Sequence, residues 1–124
     1  MSSGLKTTFL VHFILALIFS LPILFAPSIY VSLMGFPAQE PLLGAYRLLG
    51  AAILAFGVSS WLAYKETAWE RVKIVVQMEI VWTVLATLIF LWGLLAGPLP
   101  SLAWLNALIM AAFAVAFSLF YFRR

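Results

Sequence analysis

The sequence places five side chains able to do chemistry inside otherwise apolar runs: His12, Arg47, Gln77, Glu79 and Asn106. An imidazole and a carboxyl are ordinary partners for proton transfer. An ionisable group among apolar residues is tolerated there only beside a partner or a cavity. His12 and Glu79 lie at similar depths, roughly 8–11 Å at 1.5 Å per residue, from run ends that share one side of a membrane. That layer predicts a His12–Glu79 pair supported by Gln77, with Trp82 further along the Glu79 face. Arg47 and Asn106 each lie about 8 Å from the opposite side by the same rise. Arg47 is therefore expected to bond Asn106, or Glu40 from the preceding connection. The two layers fit either polar ties between helices or, at Glu79 and His12, proton transfer to a ligand in a cavity.

Other chemistries lack their residues. A bis-histidine haem needs two histidines, and the chain has one. A zinc site needs three or four ligands, and His12 with Glu79 supplies two at most. Cysteine and aspartate are absent. No GxSxG, HExxH, GxxxxGK[ST] or GxGxxG pattern occurs. No metal, cofactor or catalytic residue is expected.

The elements that position these groups follow from composition. The 124 residues are 66% hydrophobic and 9% charged, with a mean hydropathy of +1.17. Soluble domains are about 45–50% apolar and about 25% charged, and a small globule has too little interior to hide the excess. A soluble enzyme, a nucleic-acid binder and a disordered tail are excluded. A spanning helix needs about 20 mostly apolar residues, and four runs qualify: 7–26, 42–62, 72–96 and 101–122. The expected fold is all-α, an antiparallel four-transmembrane-helix bundle forming one integral membrane domain over 1–124. Gly97 to Ser101, GPLPS, forces a tight hairpin. The polar connection 63–71 is short enough to keep the second and third spans adjacent. Connection 27–41, PSIYVSLMGFPAQEP, is broken by three prolines and Gly35 yet is too apolar for a solvated loop. It reads either as a short amphipathic segment in the interface or as a loop tucked against the bundle, capping one mouth in both cases. Lys6 ahead of the first run resembles a signal peptide, but the run is too long and carries His12, so it is read as a retained span.

Charge sets an expected orientation. With four spans, Lys6, Lys65, Arg71, Lys73, Arg123 and Arg124 share one side, against Arg47 on the other. Both termini are expected in the cytoplasm, with the bundle in a plasma or inner membrane. Helical spacing puts Arg47 with Gly50, Ala51, Leu54 and Gly57, Glu79 with Trp82, Thr83 and Ala86, and Asn106 with Ala103, Ala107 and Met110. Small residues mark close helix approach, so Arg47, Glu79 and Asn106 are all expected to face the interior.

The run YRLLGAAILAFG, Tyr46 to Gly57, follows a Pro- and Gly-containing interfacial connection after the first span. This arrangement resembles the DoxX-like group of small four-helix membrane proteins, in which an Arg followed by Gly opens the second helix. The resemblance rests on the four-span plan with Arg47, Gly50 and Gly57, and implies a fold better than an activity. Some members are linked to membrane oxidoreductase complexes, but this chain carries no quinone- or thiol-chemistry residues of its own. The expected function is a non-catalytic accessory or small-ligand-binding subunit. One alternative is a proton-coupled small-molecule transporter using Glu79, although small multidrug exporters place their carboxylate in the first helix. Another is a membrane enzyme acting on a sterol-, quinone- or lipid-like substrate. Expected partners are the lipid bilayer, a membrane protein or second copy of the chain, and a lipophilic small molecule, without nucleic acid.

Overall fold

In a computed structural model that describes residues 1–123, the chain is all-helical. Arg124, counted above in the charge bias, lies outside the described residues. The helices are α1 (Ser3–Phe25), α2 (Pro27–Leu33), α3 (Leu42–Lys65), α4 (Trp69–Leu95) and α5 (Ala103–Phe122). All but α2 are long and apolar enough to cross a membrane. The molecule is an antiparallel bundle of four such helices, and an integral membrane protein. The start of α1, the α3–α4 connection and the end of α5 share one side, called here the termini side.

Polar residues explain where helices outrun the apolar runs. The Ser2 side chain caps α1 by accepting the Leu5 N–H at 3.2 Å. Thr7 and Thr8 then donate to the carbonyls of Ser3 and Gly4, one turn back. Between α3 and α4 only Glu66, Thr67 and Ala68 remain outside a helix. Lys65 in the last turn of α3 and Glu70 in the first turn of α4 carry the charges that those ends favour.

The first connection is a short helix followed by a turn. Pro27 opens α2 at a position where its missing N–H costs nothing. Gly35, at φ 81°, closes it in the left-handed region. There the Phe36 N–H reaches the Val31 carbonyl at 3.1 Å, and the Gly35 N–H reaches Ser32 at 3.0 Å. Pro27, Val31 and Met34 turn inward, while Ile29 and Leu33 are exposed. The far-side mouth is thus lined by one face of this short helix.

The long helices pack as two tight pairs, α1 with α3 and α4 with α5. The pairs meet more sparsely, through α1 against α5 and α3 against α4. Glycine explains the closeness of the first pair. A Cβ on Gly57 would sit 2.8 Å from the Ala16 Cβ, and one on Gly50 would sit 3.0 Å from Ile23 and Leu24 side-chain carbons. Between the pairs, a core of Leu5, Phe9, Ala63, Val72, Val76, Phe113 and Phe117 fills the termini side. Large apolar residues such as Ile18, Leu88 and Leu108 face outward, as they must against lipid. Lipid supplies no hydrophobic force to press the pairs together, so van der Waals packing and polar ties carry that role.

Candidate functional site

Three helices deliver one polar side chain each to a single buried point. His12 comes from α1, Ser60 from α3 and Glu79 from α4, and all three are buried. His12 Nδ1 lies 2.8 Å from Ser60 Oγ, Ser60 Oγ lies 3.2 Å from Glu79 Oε1, and His12 Nε2 lies 3.4 Å from Glu79 Oε2. Rings of Phe113 and Phe117 stand edge-on to the imidazole at 4.8 and 5.8 Å between centroids. Glu79 is 0% exposed, and Oε2 has only the long His12 contact for company. The sequence-expected His12–Glu79 pair is therefore formed, with Ser60 as its third member.

Hydrogen-bond chemistry limits how protons are arranged. Ser60 donates its one proton to Glu79 Oε1, so its oxygen accepts the proton on His12 Nδ1. The third contact, Glu79 Oε2 to His12 Nε2, is 3.4 Å long and is not a formed hydrogen bond, so a proton there sits on one side or the other. The neutral pair and the ion pair differ only in which end of that contact holds this proton. In a dry, low-dielectric site the neutral form avoids desolvating two charges. No Lys or Arg touches either group in the described residues, which leaves the ring without an outside counter-charge.

The same residue types serve acyl transfer elsewhere, but the connections here are different. A triad serine gives its proton to the imidazole; Ser60 gives its proton to the carboxyl and receives one from the imidazole. Ser60 is also 0% exposed. The ring can tie three helices together and hold one mobile proton. Among the described residues no third metal-ligating side chain joins His12 and Glu79.

Beside the ring, a cavity of about 80 Å³ runs between the two helix pairs. His12 and Phe113 close its near end, and Phe19, Phe56, Trp82 and Phe90 give it aromatic walls. Tyr30 and Asn106 stand at the far end, where Asn106 Nδ2 donates to the Tyr30 hydroxyl at 3.1 Å. Trp82 packs on Phe56 at 4.9 Å between ring centroids, on the cavity wall and not in the polar ring. Glu79 does not line the cavity, so His12 is the ring member that faces it.

Two expectations are corrected. Gln77 does not support the ring: it is exposed and donates to the Tyr121 hydroxyl at 2.8 Å. Residues two apart on a helix point in different directions, so Gln77 and Glu79 cannot share a partner. Arg47 does not turn inward; of its two expected partners it takes Glu40, at 2.9 Å, and not Asn106, with about half its side chain exposed. Glu40 also accepts the Gly44 N–H at 3.0 Å. The Arg47 hydrogen bond, then that of Gly44, holds the Glu40 carboxyl below its ordinary range. Gly50 and Gly57 are buried against α1, but Arg47 lies one turn nearer the start of α3, where Glu40 is within reach. Ser60 is the residue that sequence reasoning missed. It continues the stripe Gly50, Gly57, Ser60 at helical spacing and lies at the depth of His12 and Glu79.

Compared with protein-family models, curated proteins and solved structures, the chain matches none.

Proposed function

We propose that the chain is a non-catalytic membrane protein that holds a lipophilic small molecule between its two helix pairs, as an accessory or ligand-binding subunit. The observation that carries this reading is the cavity, whose wall is aromatic and aliphatic apart from His12, Tyr30 and Asn106. Such a lining stays dry and favours an apolar occupant. The ring favours a scaffold role for His12, Ser60 and Glu79, because Ser60 bonds both of the others and ties three helices at one buried point. A transporter would expose its carboxyl to the translocated molecule, whereas Glu79 is sealed behind His12. An enzyme would present a nucleophile or base to its substrate, and Ser60 is enclosed. The bundle is placed in a plasma or inner membrane with both termini cytoplasmic, because the termini side carries Lys6, Lys65, Arg71 and Lys73. The DoxX-like pattern fits the same plan: Gly50 and Gly57 admit α1, and Arg47 ties the far-side start of α3.

Extraction of bound lipids from protein purified in mild detergent, followed by mass spectrometry, tests the proposal. One lipophile should co-purify in near-stoichiometric amount and be depleted in Ile53→Trp, which fills the cavity. Identical lipid profiles for both proteins would sink the reading.

A further inference from the structure

We infer that the cavity is the site of a single hydrocarbon chain ending in a hydroxyl, with the hydroxyl at Tyr30 and Asn106 and the chain running toward His12. This rests on the lipophile-binding reading and narrows it to a ligand class and an orientation.

Shape gives the first argument. The lining spans His12 to Ile23 on α1 and Asn106 to Phe113 on α5, which is about 16 Å and about 10 Å at the helical rise. An apolar cavity of about 150 Å³ takes one benzene, so a volume of about 80 Å³ has no room for a fused ring system and admits at most the width of a single chain.

Hydrogen-bonding capacity gives the second. Asn106 spends one amide proton on the Tyr30 oxygen. That leaves the Tyr30 O–H without an acceptor and the Asn106 carbonyl without a donor among the described residues. Both residues line the cavity, so a ligand there can bond these free groups. One hydroxyl group both accepts and donates, so it completes both residues at once. An ether or ketone can accept from Tyr30 and from the second Asn106 N–H, but it leaves the Asn106 carbonyl without a donor. A carboxylate cannot donate to Asn106 and brings a charge, while the nearby cation, Arg47, is held by Glu40.

The other end supplies no competing anchor. His12 Nδ1 is bonded to Ser60 and His12 Nε2 faces Glu79 at 3.4 Å, and Phe113 and Trp82 complete an apolar end. The polarity also matches the bilayer. Asn106 is in the first turn of α5, and Tyr30 is on the short interfacial helix. The head therefore sits near the far-side interface and the tail points toward the midplane, as a single-chain amphiphile lies in a leaflet.

The test is calorimetric titration of dodecanol, dodecyl methyl ether and dodecane into lipid nanodiscs with and without the protein. Wild type should bind dodecanol about two- to thirteenfold more tightly than the ether, the factor for one hydrogen bond at about 0.5–1.5 kcal/mol, and more tightly still than dodecane. Tyr30→Phe and Asn106→Leu should each reduce that preference while leaving dodecane binding intact. Equal binding of all three compounds to wild type would overturn the hydroxyl site and leave lipophile binding standing. Absence of binding by any of them would overturn both.

Discussion

Replacing Glu79 separates a neutral polar ring from a buried ion pair. Glu79 takes part in two of the ring's three contacts, with Ser60 at 3.2 Å and His12 at 3.4 Å. Side-chain hydrogen bonds between membrane helices average about 0.6 kcal/mol and reach about 1.7. Glu79→Ala breaks both and should cost about 1–3 kcal/mol. In Glu79→Gln the carbonyl still accepts from Ser60, and the amide still donates to His12 Nε2. Only the second amide proton lacks an acceptor, for a loss of about 1 kcal/mol at the low end of that penalty. If the ring instead holds imidazolium and carboxylate, Gln and Ala both strand a buried cation, and each costs about 3–5 kcal/mol. Reversible unfolding in mixed micelles with increasing dodecyl sulfate, followed by circular dichroism, measures the difference. A Gln variant as damaged as the Ala variant refutes the neutral ring. Infrared spectra give an independent check: a protonated-carboxyl band at neutral pH, absent in Glu79→Gln, is expected, and a carboxylate signal alone contradicts it.

Three further outcomes follow from other parts of the bundle. Gly57→Leu should separate α1 from α3 and cost about 1–3 kcal/mol, the usual penalty of overpacking, because even a Cβ there meets Ala16 at 2.8 Å; a fully stable variant in the same unfolding assay contradicts the close approach. The Glu40 contacts to Arg47 and Gly44 should be present above the ordinary carboxylate range and lost as pH falls through the lowered value. Arg47→Leu should move that loss to higher pH, read from the Gly44 amide shift by NMR, and an unmoved midpoint would remove Arg47 as the cause. Reporters fused at the C-terminus and at residues 38–40 should report opposite sides of the membrane, the C-terminal one cytoplasmic; the same side for both is incompatible with four spans.

Most of the architecture was legible because a long apolar run has few other uses. The four spans follow from length and hydropathy, and the His12–Glu79 contact follows from matching depths. The ends were less legible, since Ser2, Thr7 and Thr8 prolong α1 through local hydrogen bonds that hydropathy does not register. Ser60 was hidden because a serine in a spanning helix usually bonds its own backbone, as Ser59 does with Phe56. Its position on the Gly50–Gly57 stripe was the available signal. Arg47 was paired with Glu40 as one of two expected partners, but its inward placement extended that stripe one turn too far, to the start of α3. The tight pairing of α1 with α3 and of α4 with α5 depends on how the glycines and aromatic rings of different helices fit together. That fit is a property of helix pairs, and no single run displays it. The cavity arises between those pairs for the same reason.

The cavity's role as a ligand site is tested most directly by quenching of Trp82, on its wall, with brominated dodecane in nanodiscs. The difference signal between wild type and Trp82→Phe isolates that residue from the other four tryptophans, the exposed Trp92 among them. Quenching of Trp82 should saturate at one chain per protein and be relieved by unbrominated dodecanol, while quenching of the remaining tryptophans in Trp82→Phe rises steadily with membrane bromine. Parallel, unsaturable quenching of both signals would mean that Trp82 meets only bulk lipid and that no chain occupies the cavity.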